Sequence, residues 1–223
     1  MQTALLFLAV AVLGASAQLV AFPPQRPTPL TGGNCRSHLA SVEQQGLLGA
    51  WRPRCEADGS YSSRQVHAST GMAFCVDPAG VTILAPAHNI RACECPRQRA
   101  RLLHTTSQIA LGQFLPRCET DGTFSALQIH ASTGYAKCFT EDGQEIMSGR
   151  GIRACKCPRE RFAALNQSQG MVGRMVPQCD ATTGAYNKRQ SHPSTGYSWC
   201  VDEEGQQVGD AVPPASHATL VCN

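Results

Sequence analysis

Three near-copies of one short run, each followed by a cysteine at a fixed distance, constrain this chain more than anything else in it. His67-Ala68-Ser69-Thr70-Gly71 precedes Cys75, His130-Ala131-Ser132-Thr133-Gly134 precedes Cys138, and His192-Pro193-Ser194-Thr195-Gly196 precedes Cys200. Self-similarity at a period of about sixty residues implies an array of equal units rather than one large domain. A Ser-Thr-Gly run between extended segments reads as a hairpin tip, where glycine supplies the positive φ. Units of about sixty residues bury too little apolar surface to be stable alone, so each is expected to rely on covalent staples.

The cysteines fit that expectation. There are 12, an even number, which in an exported chain reads as a disulfide framework. Metal binding is disfavoured, because the close pairs Cys93/Cys95 and Cys155/Cys157 are C-x-C and straddle the repeat boundaries. Export itself is read from residues 1–17, where Thr3 to Ala17 is an apolar run ending in Ala15-Ser16-Ala17. Such a run is too short to cross a bilayer and carries a small-residue cleavage signal, so it is expected to be a signal peptide of a secreted, extracellular protein. No second apolar stretch of membrane length follows. A formal charge of +3 with 6% aromatics gives no footprint of nucleic-acid binding. No cofactor and no metal are expected, and a monomer is.

Residues 18–34, with Pro23, Pro24, Pro27 and Pro29, read as an extended lead-in without a core of its own. Three modules follow, at 35–93, 95–155 and 157–222. Each opens on a cysteine followed by apolar residues at helical spacing: Leu39 and Val42, Leu102 and Leu103, Phe162 and Leu165. Pro96 and Pro158 suit a first helical turn. An apolar pair ending in glycine comes next (Leu47-Leu48-Gly49, Ala110-Leu111-Gly112, Met171-Val172-Gly173), the glycine six residues before the next cysteine each time. An apolar loop tip either packs back on the helix or enters a pocket of a partner, and both readings stand. Short antiparallel strands follow, with recurring aromatics (Tyr61, Phe124, Tyr186) and glutamines (Gln65, Gln128, Gln190), and then the hairpin tips. A second turn and a long loop lead to the closing Cys93, Cys155 and Cys222. Only Glu94 and Lys156 separate successive modules, so the tandem should be stiff. The fold class is small disulfide-rich α+β, with a short helix, a small antiparallel sheet and long stapled loops in each module.

This order of P-x-C, turn glycine, aromatic, glutamine, hairpin, Cys-Val and closing cysteine resembles three tandem thyroglobulin type-1 domains over about residues 34–223. Pro53-Arg54-Cys55 and Tyr197-Ser198-Trp199-Cys200-Val201 carry the likeness most clearly. One departure is systematic. The family usually has six cysteines per domain, and here the third and fourth positions fall on Val66/Ala73, Ile129/Ala136 and Ser191/Ser198. Both partners are missing each time, so no thiol is stranded. The resemblance implies the bridges Cys35–Cys55, Cys75–Cys93, Cys95–Cys118, Cys138–Cys155, Cys157–Cys179 and Cys200–Cys222. The absent bridge closes a loop of about eight residues, about 2–3 kcal/mol in the chain-entropy model, and the hairpin tips are expected to be looser for its loss.

The resemblance also implies an activity. Family members that inhibit papain-like cysteine proteases present a wedge of loops to the active-site cleft, while others are inert structural modules. Carried over by position, the first edge is Leu47, Leu48, Gly49 and, in the other modules, Ala110, Leu111, Gly112 and Met171, Val172, Gly173. The second edge is the hairpin tip: His67, Ser69, Thr70 and Gly71; His130, Ser132, Thr133 and Gly134; His192, Ser194, Thr195 and Gly196. The third is the loop following Cys75, Cys138 or Cys200. An aspartic protease stays open as the target. The competing class is an extracellular structural or matrix-interaction protein, with Arg97, Arg99, Arg101, Arg159 and Arg161 offered to an acidic glycosaminoglycan. Catalysis is rejected, because the recurring histidines keep step with cysteines expected to be bridged, and a bridged sulfur is no nucleophile. Asn166-Gln167-Ser168 is an N-x-[ST] sequon and a candidate glycosylation site, where a glycan would crowd the third wedge.

Overall fold

A computed structural model describes residues 34–105, 114–167 and 173–222. Among them, three helices and three separate three-stranded sheets alternate in order. In the first module α1 (Cys35–Gln45) precedes β1 (Arg64–Val66), β2 (Ala73–Val76) and β3 (Thr82–Ala87). The second has α2 (Glu94–Thr105), β4 (Leu127–His130), β5 (Tyr135–Phe139) and β6 (Glu145–Gly149). The third has α3 (Lys156–Gln167), β7 (Arg189–Ser191), β8 (Ser198–Val201) and β9 (Gln207–Val212), followed by a 3₁₀ turn at Pro214–Thr219. Every sheet is an antiparallel meander with its second strand in the middle.

The third strand of each module lies in what the sequence reads as a long loop. Pro86 in β3 and Gly209 in β9 hide the strand pattern, since both residues are poor strand formers. Register shifts where β2, β5 and β8 meet the third strand break the alternation further. The apolar helix stripe is also shallower than a core stripe: Leu103 and Leu165 remain 41% and 50% exposed.

The small cores centre on the disulfides. Cys35–Cys55, Cys75–Cys93, Cys95–Cys118, Cys138–Cys155, Cys157–Cys179 and Cys200–Cys222 are joined, the pairs that the resemblance implies. One buried cluster holds Cys35, Tyr61, Phe74 and Val76, and another holds Ala73, Cys75, Ile90 and Cys93.

The recurring glutamine has a full structural reason. Gln65 is completely buried; its Oε1 accepts from Arg54 N at 2.8 Å, and its Nε2 donates to Arg54 O and Ser62 O at 2.9 and 2.8 Å. Gln128 does the same with Arg117 and Ser125, and Gln190 with Gln178 and Asn187. Each glutamine thus satisfies backbone groups on a segment too irregular to pair with a strand, which a buried backbone requires.

Neighbouring modules are in contact. The amides of Arg91 and Ala92, at the end of the first module, donate to Asp121 O of the second at 2.9 and 3.2 Å. Arg153 and Ala154 repeat this on Thr183 O of the third. From the other side, the Arg97 guanidinium donates to Val76 O and Tyr61 O, and Arg159 donates to Phe139 O and Phe124 O. The Arg91 side chain adds ion pairs to Asp121 at 2.7 Å and Glu141 at 3.2 Å. Burial opposes the charge on Asp121, but hydrogen bonds from Thr123 and the Arg91 guanidinium outweigh it and hold the carboxyl down at about 2.

Candidate functional site

Helix α1 stops at Gly46, whose φ of 60° places it in the left-handed region, the conformation that ends many helices. Gly49, at φ 80°, turns the chain back. Between the two glycines, Leu47 is 61% exposed and Leu48 fully so. The first-module tip therefore does not pack back on its helix. Ala110, Leu111, Gly112, Met171 and Val172 lie outside the described residues.

The hairpin tip is a tight turn in all three copies. In the first, the Gly71 amide donates to His67 O at 2.8 Å and the His67 amide to Met72 O at 2.9 Å. Ser69, Thr70 and Gly71 are exposed, as are Ser132, Thr133 and Gly134. The histidines are half-buried instead. The His67 ring stacks on Phe74, centroids 5.1 Å apart, and meets Trp51 at 6.0 Å. His130 stacks on Phe114 at 6.5 Å, and its Nδ1 lies 3.0 Å from each of the Ser132 and Thr133 hydroxyls. His192 Nδ1 lies 3.0 Å from Ser194 Oγ, which also donates to Gly173 O at 3.3 Å.

These contacts bring the first two edges together. Trp51 and Phe114 each lie just after the apolar tip and rest on the hairpin histidine; in the third module Gly173 itself meets Ser194. The loop following Cys75, Cys138 or Cys200 begins at a distance from the hairpin tip. In a meander the turn after β2 falls at the opposite end of the strand from the β1–β2 tip, about 13 Å away for four residues. Chain leaving the third strand is what returns to the tip, since Ala87 pairs with Ala73, Gly149 with Ala136 and Val212 with Ser198. Arg150 accordingly lines a cleft with Phe114, His130, Thr133, Tyr135 and Lys137, and Pro214 sits against Gly196. The return of this segment to the tip is not legible in the sequence, because the strand that delivers it is not.

The lost third bridge leaves three different substitutes. Val66 faces Ala73, Ile129 faces Ala136 and Ser191 faces Ser198 as direct cross-strand partners. The two serine hydroxyls lie 2.7 Å apart.

The arginines singled out for an acidic partner are engaged within the chain. Arg97 and Arg159 reach the preceding module as described, while Arg99 donates to Pro116 O and Arg161 to Pro177 O. Burial lowers the Arg159 guanidinium, countered by Glu141, Glu119 and Asp121. Asn166 is exposed in the last turn of α3. No group of His, Cys, Asp and Glu that would hold a metal occurs among the described residues, and no described helix is long and apolar enough to cross a membrane.

The sequence model described as the thyroglobulin type-1 repeat matches residues 35–92, 93–157 and 155–217. Equistatin of Actinia equina is 35% identical over 190 residues, covering 78% of this chain and 79% of that protein. U20-hexatoxin-Hi1a of Hadronyche infensa is 35% identical over 102 residues, covering 46% of this chain and 66% of the toxin. Bovine thyroglobulin is 31% identical over 179 residues, 71% of this chain but only 6% of that protein.

Proposed function

Because the chain belongs to the thyroglobulin type-1 family, we propose that it is an inhibitor of papain-like cysteine proteases that fills the active-site cleft with one end of a module. The observation that carries this reading is the bare Leu47-Leu48 pair, held in solvent between two left-handed glycines on the loop that Trp51 ties to the hairpin tip. A disulfide-stapled loop loses little conformational entropy on docking, and an exposed leucine pair has apolar area to bury in a hydrophobic subsite. Inhibition of this kind needs no nucleophile and no cofactor. The cleft is occupied, and substrate is excluded by competition. Ser69, Thr70 and Gly71 supply a polar second edge, with His67 behind them as packing.

Secretion accompanies this reading, with residues 1–17 as the removed leader and six disulfides suited to an oxidising compartment. Asn166 is its glycosylation site. The equistatin match spans most of both chains, so the likeness extends to the array rather than to one borrowed module. The second reading, an extracellular structural or matrix module, draws on the joints that bind each module to the next. Its polyanion-binding form gains nothing from arginines already donating to carbonyls of their own chain.

Titration of the mature protein against papain-like proteases of known active concentration tests the reading. Leu47→Asp with Leu48→Asp is expected to weaken inhibition by the first module at least a hundredfold. Both side chains are already largely in water, so the unfolding free energy should stay within about 0.5 kcal/mol of the parent. Unchanged inhibition by the double variant, or no inhibition by correctly bridged parent, would give the structural reading its place.

A further inference from the structure

Each hairpin tip lacks the disulfide that usually closes it in this family, yet each is tied sideways to the loop that carries the apolar edge. In the first module Trp51, two residues past Gly49, packs on His67 at 6.0 Å and on Phe74 at 5.4 Å, and His67 stacks on Phe74 at 5.1 Å. His38 of α1 closes the far side of the indole at 5.4 Å, edge-on, and is fixed in turn by a 2.8 Å hydrogen bond with the Tyr61 hydroxyl. The indole Nε1 is buried and has no hydrogen-bond partner among the described residues. Ring packing is therefore what holds Trp51. In the second module Phe114, again two residues past the glycine, stacks on His130 at an interplanar angle of 10° and on Phe139 at 6.3 Å. The third module has Met175 at this position, and there the tie is polar: Ser194 donates to Gly173 O, and Ser191 and Ser198 pair across the strands.

We infer that Trp51 and Phe114 are positioning residues that do the work of the absent hairpin disulfide, locking the hairpin tip to the apolar loop so that the two edges dock as one body. The recurring histidine is the other half of the lock. A disulfide would fix the tip only to its own partner strand, at Val66/Ala73. The ring stack fixes it to a different loop, and so also sets the spacing between edges. Aromatic pairs at 4.5–7 Å are favourable beyond the area they bury, which is what a cross-loop tie without covalent closure requires. This inference rests on the wedge reading for its functional part and stands on geometry for its structural part.

Amide hydrogen exchange and inhibition, measured together on the full mature chain, separate the two. In Trp51→Ala the amides of His67 and Gly71, both bonded inside the tip, are expected to exchange at least tenfold faster while that of Val76 is unchanged. The inhibition constant should rise about tenfold. Trp51→Phe should keep both near the parent values. Adding Val66→Cys with Ala73→Cys to Trp51→Ala should restore slow exchange and recover part of the inhibition. Should Trp51→Ala disturb the whole module, Phe114→Leu gives the same reading at the Gly134 amide, which donates to His130 O at 2.9 Å. Unaltered exchange at the tips of both variants would overturn the lock. Restored exchange without any recovery of inhibition would overturn the positioning role and make Trp51 a direct contact. A parent that slows exchange at its tips but inhibits nothing would overturn the wedge reading alone.

Discussion

Gly122 and Gly134 belong to one module, and both have positive φ, 82° and 65°, yet their surroundings are opposite. A Cβ on Gly122 would lie 1.8 Å from the Ala92 carbonyl oxygen of the preceding module, whereas one on Gly134 would meet nothing within 4 Å. The first glycine is required twice, for its backbone angle and for the space a neighbour fills. The second is required once. In the third module Gly184 would strike Ala154 O at 2.1 Å, and the tip glycine Gly196 would meet Pro214 Cγ at 2.8 Å, while in the first module Gly71 is open. The first two modules thus leave the tip glycine bare to solvent, away from the joints where backbone amides, guanidiniums and carbonyls of two modules interlock. A repeated motif does not imply a repeated constraint, and the bare end is where a partner finds room.

Substituting alanine at the two glycines tests this contrast most strongly. Gly122→Ala is expected to cost several kcal/mol, because the first and second modules must separate or distort to admit the methyl group. Gly134→Ala should cost about 1 kcal/mol, the left-handed penalty alone. Denaturant unfolding of the full chain measures both, and equal costs would erase the distinction between the ends. Arg159→Ala removes charged donors from Phe139 O and Phe124 O and is expected to cost about 2 kcal/mol, felt as faster exchange in the second module with no change at the Gly134 tip. The smallest effect belongs to acid. With its folded pKa held down at about 2 against an ordinary value of 3.8, Asp121 stabilises the first joint fully above about pH 5 and loses that contribution as pH falls from about 4 to 2. The loss should be about 1 kcal/mol, reduced from the full linkage value because Arg91 is largely exposed. Asp121→Asn should flatten the acid limb of the stability profile by that amount.

The repeat, the staples and the hairpins were legible in the sequence because each depends on a residue type at a fixed spacing: cysteine parity, Ser-Thr-Gly, the aromatic two places past a turn glycine. Val66/Ala73 and its counterparts could be aligned for the same reason. What was not legible was whatever depends on two distant segments meeting. Nothing in Gln65 alone shows that its three polar contacts all go to backbone. Strand β3, rich in alanine and interrupted by Pro86, carries no alternation, so the segment that it returns to the hairpin tip could not be read in advance. The arginines of α2 and α3 look like a basic patch when read along the chain. Only the joint shows that Arg97 and Arg159 recur because each reaches back to two carbonyls of the module before it.

The joints also follow one rule at both places. Arg-Ala-Cys closes the first and second modules, and Cys-Pro-Arg opens the second and third, with matching donors and acceptors on the two faces. The two interior boundaries share one backbone coupling, to which the first adds the Arg91 ion pairs with Asp121 and Glu141, and stability propagates between nearest neighbours only. The first module opens instead on Asn34, which caps α1 through Ser37 and covers Gly59 with its side chain, and it has Ser37 where the later modules have the clamping arginine. A residue of its own thus covers the turn glycine that, in the later modules, a carbonyl of the preceding module covers.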